Sequence, residues 1–262
     1  MVRLFDYYVF FGGAFILGGA IGSFLNVCIF RIPEKKSIIY PPSSCPACGQ
    51  RISWYQNIPI LSYLFLRGRC GFCHKPISLR YPAIEFLSGG LFVLTLYYFR
   101  LTPATLVYWL FVSALVVISF IDLDHQIIPD VISLPGIVVG FICSFFIPWV
   151  SWLDSLLGIV LGGGVLLTIA WLYELLTKRE GMGGGDIKLL AMLGAFLGWK
   201  AILPIVFVAS LIGTLVGVPL MLVQKGNSRL AIPFGPFLAL SALVNLFWGP
   251  RLIHWYLGLM VH

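Results

Sequence analysis

Apolar runs long enough to cross a bilayer constrain this chain more than any other feature. A hydrocarbon core about 30 Å thick takes about 20 helical residues. About eight stretches approach or reach that length, near residues 7–30, 84–100, 104–121, 130–149, 154–177, 187–199, 201–223 and 230–249. Backbone groups in lipid must be satisfied within the protein, so only helices or closed barrels span it. The short alternating segments of a barrel strand are absent. The sequence therefore predicts an all-α polytopic membrane protein with about eight transmembrane helices. Composition agrees, with 60% hydrophobic and only 10% charged residues, where soluble domains carry about a quarter charged. Several spans are short for the hydrocarbon core, which calls for tilt or for shielding by neighbouring helices.

The first apolar segment is too long, and too polar near its end, for a cleaved signal, and no small-residue cleavage site closes it. It reads as a retained helix over residues 1–30, followed by a polar loop over 31–81 and a transmembrane core over 82–262. The net charge of +7 would suggest nucleic acid in a soluble chain. Here it sits in loops, so membrane lipid is the expected partner and nucleic acid is not. With the amino terminus outside, thirteen basic residues fall on inner loops: Arg31, Lys35, Lys36, Arg51, Arg67, Arg69, Lys75, Arg80, Lys178, Arg179, Lys188, Lys225 and Arg229. Four fall outside, namely Arg3, Arg100, Lys200 and Arg251. This bias places the large loop, the loop after Phe120 and the glycine-rich loop before Asp186 on the cytoplasmic side. Gly18-x-x-x-Gly22 and Gly158-x-x-x-Gly162 read as helix-packing faces.

Cys45-Pro-Ala-Cys48 and Cys70-Gly-Phe-Cys73 form two C-x-x-C knuckles. Four thiolates so arranged fill a tetrahedral zinc with no open position, so a structural zinc in a small cytoplasmic loop domain is expected. Disulfides are disfavoured in a reducing compartment, and a loop with little core of its own needs a staple. His74 reads as a bystander, and Cys28 and Cys143 as buried small hydrophobes.

The chain has ten acidic residues. Asp122, Asp124 and Asp130 cluster between the third and fourth spans, and Asp186 follows Gly183-Gly184-Gly185 at the edge of an apolar segment. The glycines are expected to supply positive φ or a close backbone approach. Asp130, after Pro129, reads as a helix N-cap, and Asp124 as a solvated turn residue. Asp122 directly follows an apolar run, where a negative charge at a helix C-terminus opposes the macrodipole. Two close carboxylates share a proton; the ionised one activates water while the protonated one polarises a carbonyl. Aspartic-protease chemistry, a two-carboxylate magnesium site and a proton- or cation-coupled transporter all fit these residues alone.

The motifs taken together resemble the bacterial type IV prepilin peptidases, also called leader peptidase/N-methyltransferases, within the G-x-G-D aspartyl proteases. The resemblance rests on Gly22-Ser-Phe-Leu-Asn26 with Arg31-Ile-Pro33, the two cysteine knuckles, Arg80-Tyr-Pro-Ala-Ile-Glu85, the Asp122–Asp130 run, and Gly181 to Leu190, in that order. It implies that Asp122 and Asp186 are catalytic and that the substrates are prepilins and pseudopilins of type IV pili or type II secretion. Cleavage would follow a glycine at the cytoplasmic membrane edge of the bacterial inner membrane. N-methylation of the new terminus by S-adenosylmethionine would follow, with Glu85 the residue proposed to bind that donor beside Asn26 and Arg31. A peptidase without methyl transfer is the nearest alternative.

Overall fold

The structure, a computed structural model, describes residues 2–178, 183–223 and 233–260. Gly181 and Met182 of the glycine run, and Arg179, Lys225 and Arg229 of the orientation count, lie outside the described residues, as do the side chains of Arg3 and Arg251. Among the described residues the α-helices are α1 (Val2–Arg31), α2 (Leu61–Phe65), α3 (Arg80–Phe99), α4 (Pro103–His125), α5 (Asp130–Cys143), α6 (Trp152–Thr177), α7 (Gly184–Leu197), α8 (Ile202–Val223) and α9 (Gly235–Met260). No strand occurs among them beyond two isolated bridges, so the protein is all-α.

Among the described residues, five helical stretches are long and apolar enough to cross a membrane: Tyr8–Arg31, Arg80–Phe99, Pro103–His125, Trp152–Thr177 and Trp199–Leu220. The other three expected spans correspond to α5, α7 and α9. Helices α5 and α7 have 14 residues each, about 21 Å at 1.5 Å per residue. The stretch expected to continue to residue 149 stops at Cys143. There the Ser144 hydroxyl donates to the Phe141 carbonyl at 2.6 Å, drawing that acceptor away from helix continuation. Pro148 follows and could not extend the ladder.

The chain divides into two compact units, Met1–Val117 and Ile118–His262. In the first, α1 lies against α3 through small residues. A Cβ on Gly18 would stand 2.8 Å from the Gly89 Cα, and one on Gly22 would stand 2.8 Å from the Glu85 Cα. The sequence's Gly18-x-x-x-Gly22 face is thus a backbone-to-backbone contact, the arrangement expected where lipid removes the hydrophobic drive between helices. Asn26 donates its side-chain amide to the Gly22 and Tyr81 carbonyls, both at 3.2 Å, tying α1 to the start of α3. The indole rings and N–H groups do similar work further along. Trp109 stacks on Phe92 with ring centroids 4.8 Å apart and donates to the Phe92 carbonyl at 3.0 Å.

In the second unit α7 is the central helix. Every residue from Leu189 to Phe196 is buried, and a helix apolar on all sides belongs inside. Its small residues let neighbours close in. Gly158 of α6 and Gly194 of α7 face each other so closely that a Cβ on either would overlap the other's carbonyl, and one on Gly162 would stand 2.5 Å from the Leu190 carbonyl oxygen. The Ser155 hydroxyl donates to the Ala195 carbonyl at 2.8 Å across the same contact. By contrast Leu203, Phe207, Leu211 and Leu215 of α8, spaced by four, form an exposed apolar stripe, the face such a helix turns to lipid.

Candidate active site and metal centre

The candidate metal centre is built by two matching hairpin turns. Cys45 N–H donates to Gln50 O and Gly49 N–H to Cys45 O in the first; Cys70 N–H donates to Lys75 O and His74 N–H to Cys70 O in the second. Each turn is closed by an isolated antiparallel bridge, Ser44 with Arg51 and Arg69 with Pro76. The residue after the second cysteine takes positive φ in both, +70° at Gly49 and +57° at His74. His74 thus occupies a backbone role, at a conformation histidine tolerates better than most residues. The four sulfurs lie within 4.8 Å of one another and could hold a metal ion. Cys45 Sγ and Cys73 Sγ are 3.9 Å apart, close to the edge of about 3.8 Å that four Zn–S bonds of about 2.3 Å define. The backbone N–H groups of Ala47 and Cys48 approach the Cys45 sulfur and lower its thiol to about 6, while the neighbouring Cys48 thiol is pushed up to about 11, so Cys45 is the first of the two to reach the thiolate a metal requires. None of the six cysteines is in a disulfide.

Glu85 is buried in α3. Its Oε2 accepts a 2.7 Å hydrogen bond from the Ile60 N–H, and the Ser23 side chain also bonds it. Ile60 has φ +63° and ψ −50°, and Leu61 N–H bonds back to Pro59 O. That is a γ-turn of the rare, strained kind, and a β-branched residue there costs energy that a surrounding contact must offset. Arg31 donates to the Ser37 and Pro41 carbonyls at 2.9 and 2.7 Å. Glu85, Asn26 and Arg31 are therefore all bonded to groups of the loop or of the helices that flank it.

Asp122 and Asp186 line one cavity of about 330 Å³, with Gln126, Ile127, Ile128, Asp130, Gly183, Gly184, Gly185 and Lys188. Helix α4 runs on three residues beyond Asp122 to His125, so Asp122 sits in its last turn rather than at its end. It is 5% exposed, and its Oδ2 accepts a 2.9 Å bond from the Gly235 N–H at the start of α9. The charge that opposes the α4 dipole is thereby met by the positive end of another helix. Asp186 lies in the first turn of α7, and Gly183 is the N-cap. Asp186 is thus the third residue of the helix and not its cap. Burial, and next the charge of Asp122, push its carboxyl up to about 7.

Of Gly183, Gly184 and Gly185 none has positive φ, and only Gly185 makes a close approach; nothing lies within 4 Å of a Cβ on the other two. Gly183 is extended, with φ −70° and ψ 137°, and Gly184 and Gly185 are already helical. A Cβ on Gly185 would stand 2.9 Å from the Ile128 Cβ, so glycine is what lets α7 approach the α4–α5 connection. Asp130 is the first residue of α5, with Pro129 as its N-cap, and its carboxylate pairs with Lys188 at 2.7 and 2.9 Å. The expected cap is thus a cross-helix ion pair, made possible because α5 packs against α7. Sequence reasoning passed over Gly235. Its signal was Pro233-Phe234-Gly235-Pro236 ahead of an apolar run, since proline and glycine bracket helix starts.

Two family profiles match the chain: the bacterial peptidase A24 N-terminal domain over residues 16–99 and the type IV leader peptidase family over residues 109–218. Curated relatives are similar over most of their length. A prepilin leader peptidase/N-methyltransferase of Pseudomonas putida is 38% identical, covering 91% of this chain and 91% of its own. One of Aeromonas hydrophila is 38% identical over 95% and 94%. One of Myxococcus xanthus is 43% identical over 82% of this chain and 64% of its own. No solved structure matches significantly.

Proposed function

This chain belongs to the type IV leader peptidase family, and from that premise we propose that it is a membrane aspartic endopeptidase acting through Asp122 and Asp186. It removes the leader peptide of type IV prepilins or pseudopilins and, as its relatives' names state, N-methylates the product. The observation that carries the catalytic pair is that both carboxylates, 64 residues apart in sequence, line the same cavity.

One carboxylate, ionised, takes a proton from water, and the resulting hydroxide adds to the scissile carbonyl carbon. The other, protonated, donates to the carbonyl oxygen. Each of these helix termini opens at the edge of an apolar segment, which suits a substrate that is extended at the scissile bond and helical beyond it. We place this edge at the cytoplasmic side of the bacterial inner membrane, on the positive-inside argument. The organisation that follows is a first transmembrane helix over 1–30, a cytoplasmic loop over 31–81 and the protease core over 82–262.

The ion held by Cys45, Cys48, Cys70 and Cys73 is proposed to be zinc, since four thiolates at this spacing leave no open position for catalysis. It would stabilise the loop and take no part in hydrolysis. Methyl transfer would use S-adenosylmethionine, which supplies the electrophilic methyl group. Glu85 is the carboxylate to test for that donor, and one of its oxygens already holds Ile60. Glu85→Gln scored separately for cleavage and methylation gives that test.

The deciding experiment incubates purified full-length protein with a prepilin. Asp122→Asn and Asp186→Asn, each folded, are expected to abolish cleavage; retained cleavage in either removes that residue from the role. A cation-coupled transporter built on the same carboxylates would show no cleavage in the unsubstituted protein.

A further inference from the structure

The two aspartates share a cavity but not an environment. Asp122 is buried, and its Oδ2 accepts the first free N–H of α9 at 2.9 Å. Helix α9 starts with its first-turn N–H groups in search of acceptors; Phe237 and Leu238 reach back to Phe234 O, and Pro236 has no N–H to give. Gly235 is left to serve Asp122. A charge-assisted bond of this kind favours the carboxylate over the acid. Glycine is required for it, although its backbone angles are ordinary: a Cβ at position 235 would stand 2.6 Å from Asp122 Oδ2 and 3.3 Å from Ile128 Cδ1.

Asp186 has no hydrogen-bond donor among the described residues. It lies in the first turn of α7, where the helix dipole favours negative charge, yet burial and the neighbouring Asp122 outweigh that preference. The other charged groups of the cavity, Asp130 and Lys188, neutralise each other at 2.7 Å and tip neither aspartate. Asp124 and His125, further along α4, are exposed.

We propose that Gly235 is a positioning residue for the hydrolysis, its N–H holding Asp122 as the ionised base while Asp186 carries the shared proton. This rests on the peptidase reading of the pair. Water gives one proton to Asp122, and its hydroxide bonds to the carbonyl carbon while the Asp186 proton moves to the carbonyl oxygen. The tetrahedral diol then collapses: Asp122 returns its proton to the departing amine nitrogen, the C–N bond breaks, and a hydroxyl proton of the diol restores Asp186. Both aspartates end as they began.

Gly235→Ala in the full-length protein is the test, assayed on a prepilin across pH. One hydrogen bond to a charged group predicts a kcat about 10–100-fold lower, with KM within about twofold if the contact is made to Asp122 and not to substrate. The acidic limb of the pH–rate profile, set by protonation of Asp122, should move up by about one pH unit, the equivalent of a tenfold loss. A fall in kcat with the acidic limb unmoved, or a change confined to KM, overturns the proposal. Should Gly235→Ala fail to fold, infrared spectra of the Asn variants decide the matter near pH 6. The stretch of the protonated carboxyl should weaken in Asp186→Asn and persist in Asp122→Asn; the reverse pattern overturns the assignment. Cleavage surviving in Asp122→Asn instead overturns the catalytic pair itself, so the two failures are distinguishable.

Discussion

Replacing Asp186 with asparagine should remove activity and, above neutral pH, make the protein more stable. In the native protein the Asp186 carboxyl is raised from 3.8 to about 7, first by burial and then by Asp122. The unfolded chain ionises it near its ordinary value, so between those limits the native state binds the extra proton. Stability then falls as pH rises, by about 1.4 kcal/mol per unit. From pH 5 to 7 that gives at most about 3 kcal/mol, and solvent reaching a half-buried group reduces it to about 1.5. Above pH 7 both states are ionised and the loss is complete. Asparagine does not titrate, so the variant escapes this loss. At about 2–4 °C per kcal/mol, the Tm of Asp186→Asn relative to the parent should rise by about 3–6 °C between pH 5 and pH 8. Intrinsic fluorescence of the eight tryptophans during heating in detergent would report it. A Tm difference that stays constant over this range, or shrinks, refutes the idea that burial raises this carboxyl.

Three further outcomes test the scaffold. Gly194→Val places a side chain into the Gly158 carbonyl and should cost about 1–3 kcal/mol or more, seen as lost folded yield; Gly164→Ala, with nothing within 4 Å of its Cβ, should keep its yield. His74→Gly relieves a non-glycine residue at φ +57° and should stabilise the loop by up to about 1 kcal/mol with metal content unchanged, whereas a role for His74 as a ligand predicts metal loss. Elemental analysis should find about one zinc per chain, and Cys45→Ser or Cys70→Ser should lose it and expose the loop between the knuckles to protease.

The segments that could be read from the sequence are those whose signal is local. Apolar length alone located α3, α4, α6 and α8 to within a few residues, because lipid demands an uninterrupted hydrogen-bonded run. The cysteine knuckles were legible because spacing fixes how two sulfurs converge on one ion. Asp122 and Asp186 stood out because ionisable groups beside a lipid-spanning run are costly. The length of α5 was not legible, since its end at Cys143 depends on a serine turning on its own helix. Neither was the use of Asp130, which looked like a cap until its partner Lys188 arrived from another helix.

The amino-acid sequence by itself determined the class of protein and singled out the cysteine knuckles and the two acids, since each follows from composition or from spacings of a few residues. Only the tertiary structure decided that Asp122 meets a helix N-terminus 113 residues later, that Glu85 holds a strained loop turn, and that Gly185 before Asp186 serves a close approach rather than positive φ. Those are properties of contacts between distant segments. Where two backbones come within a Cβ of each other is set by how the helices pack, and no local pattern records it.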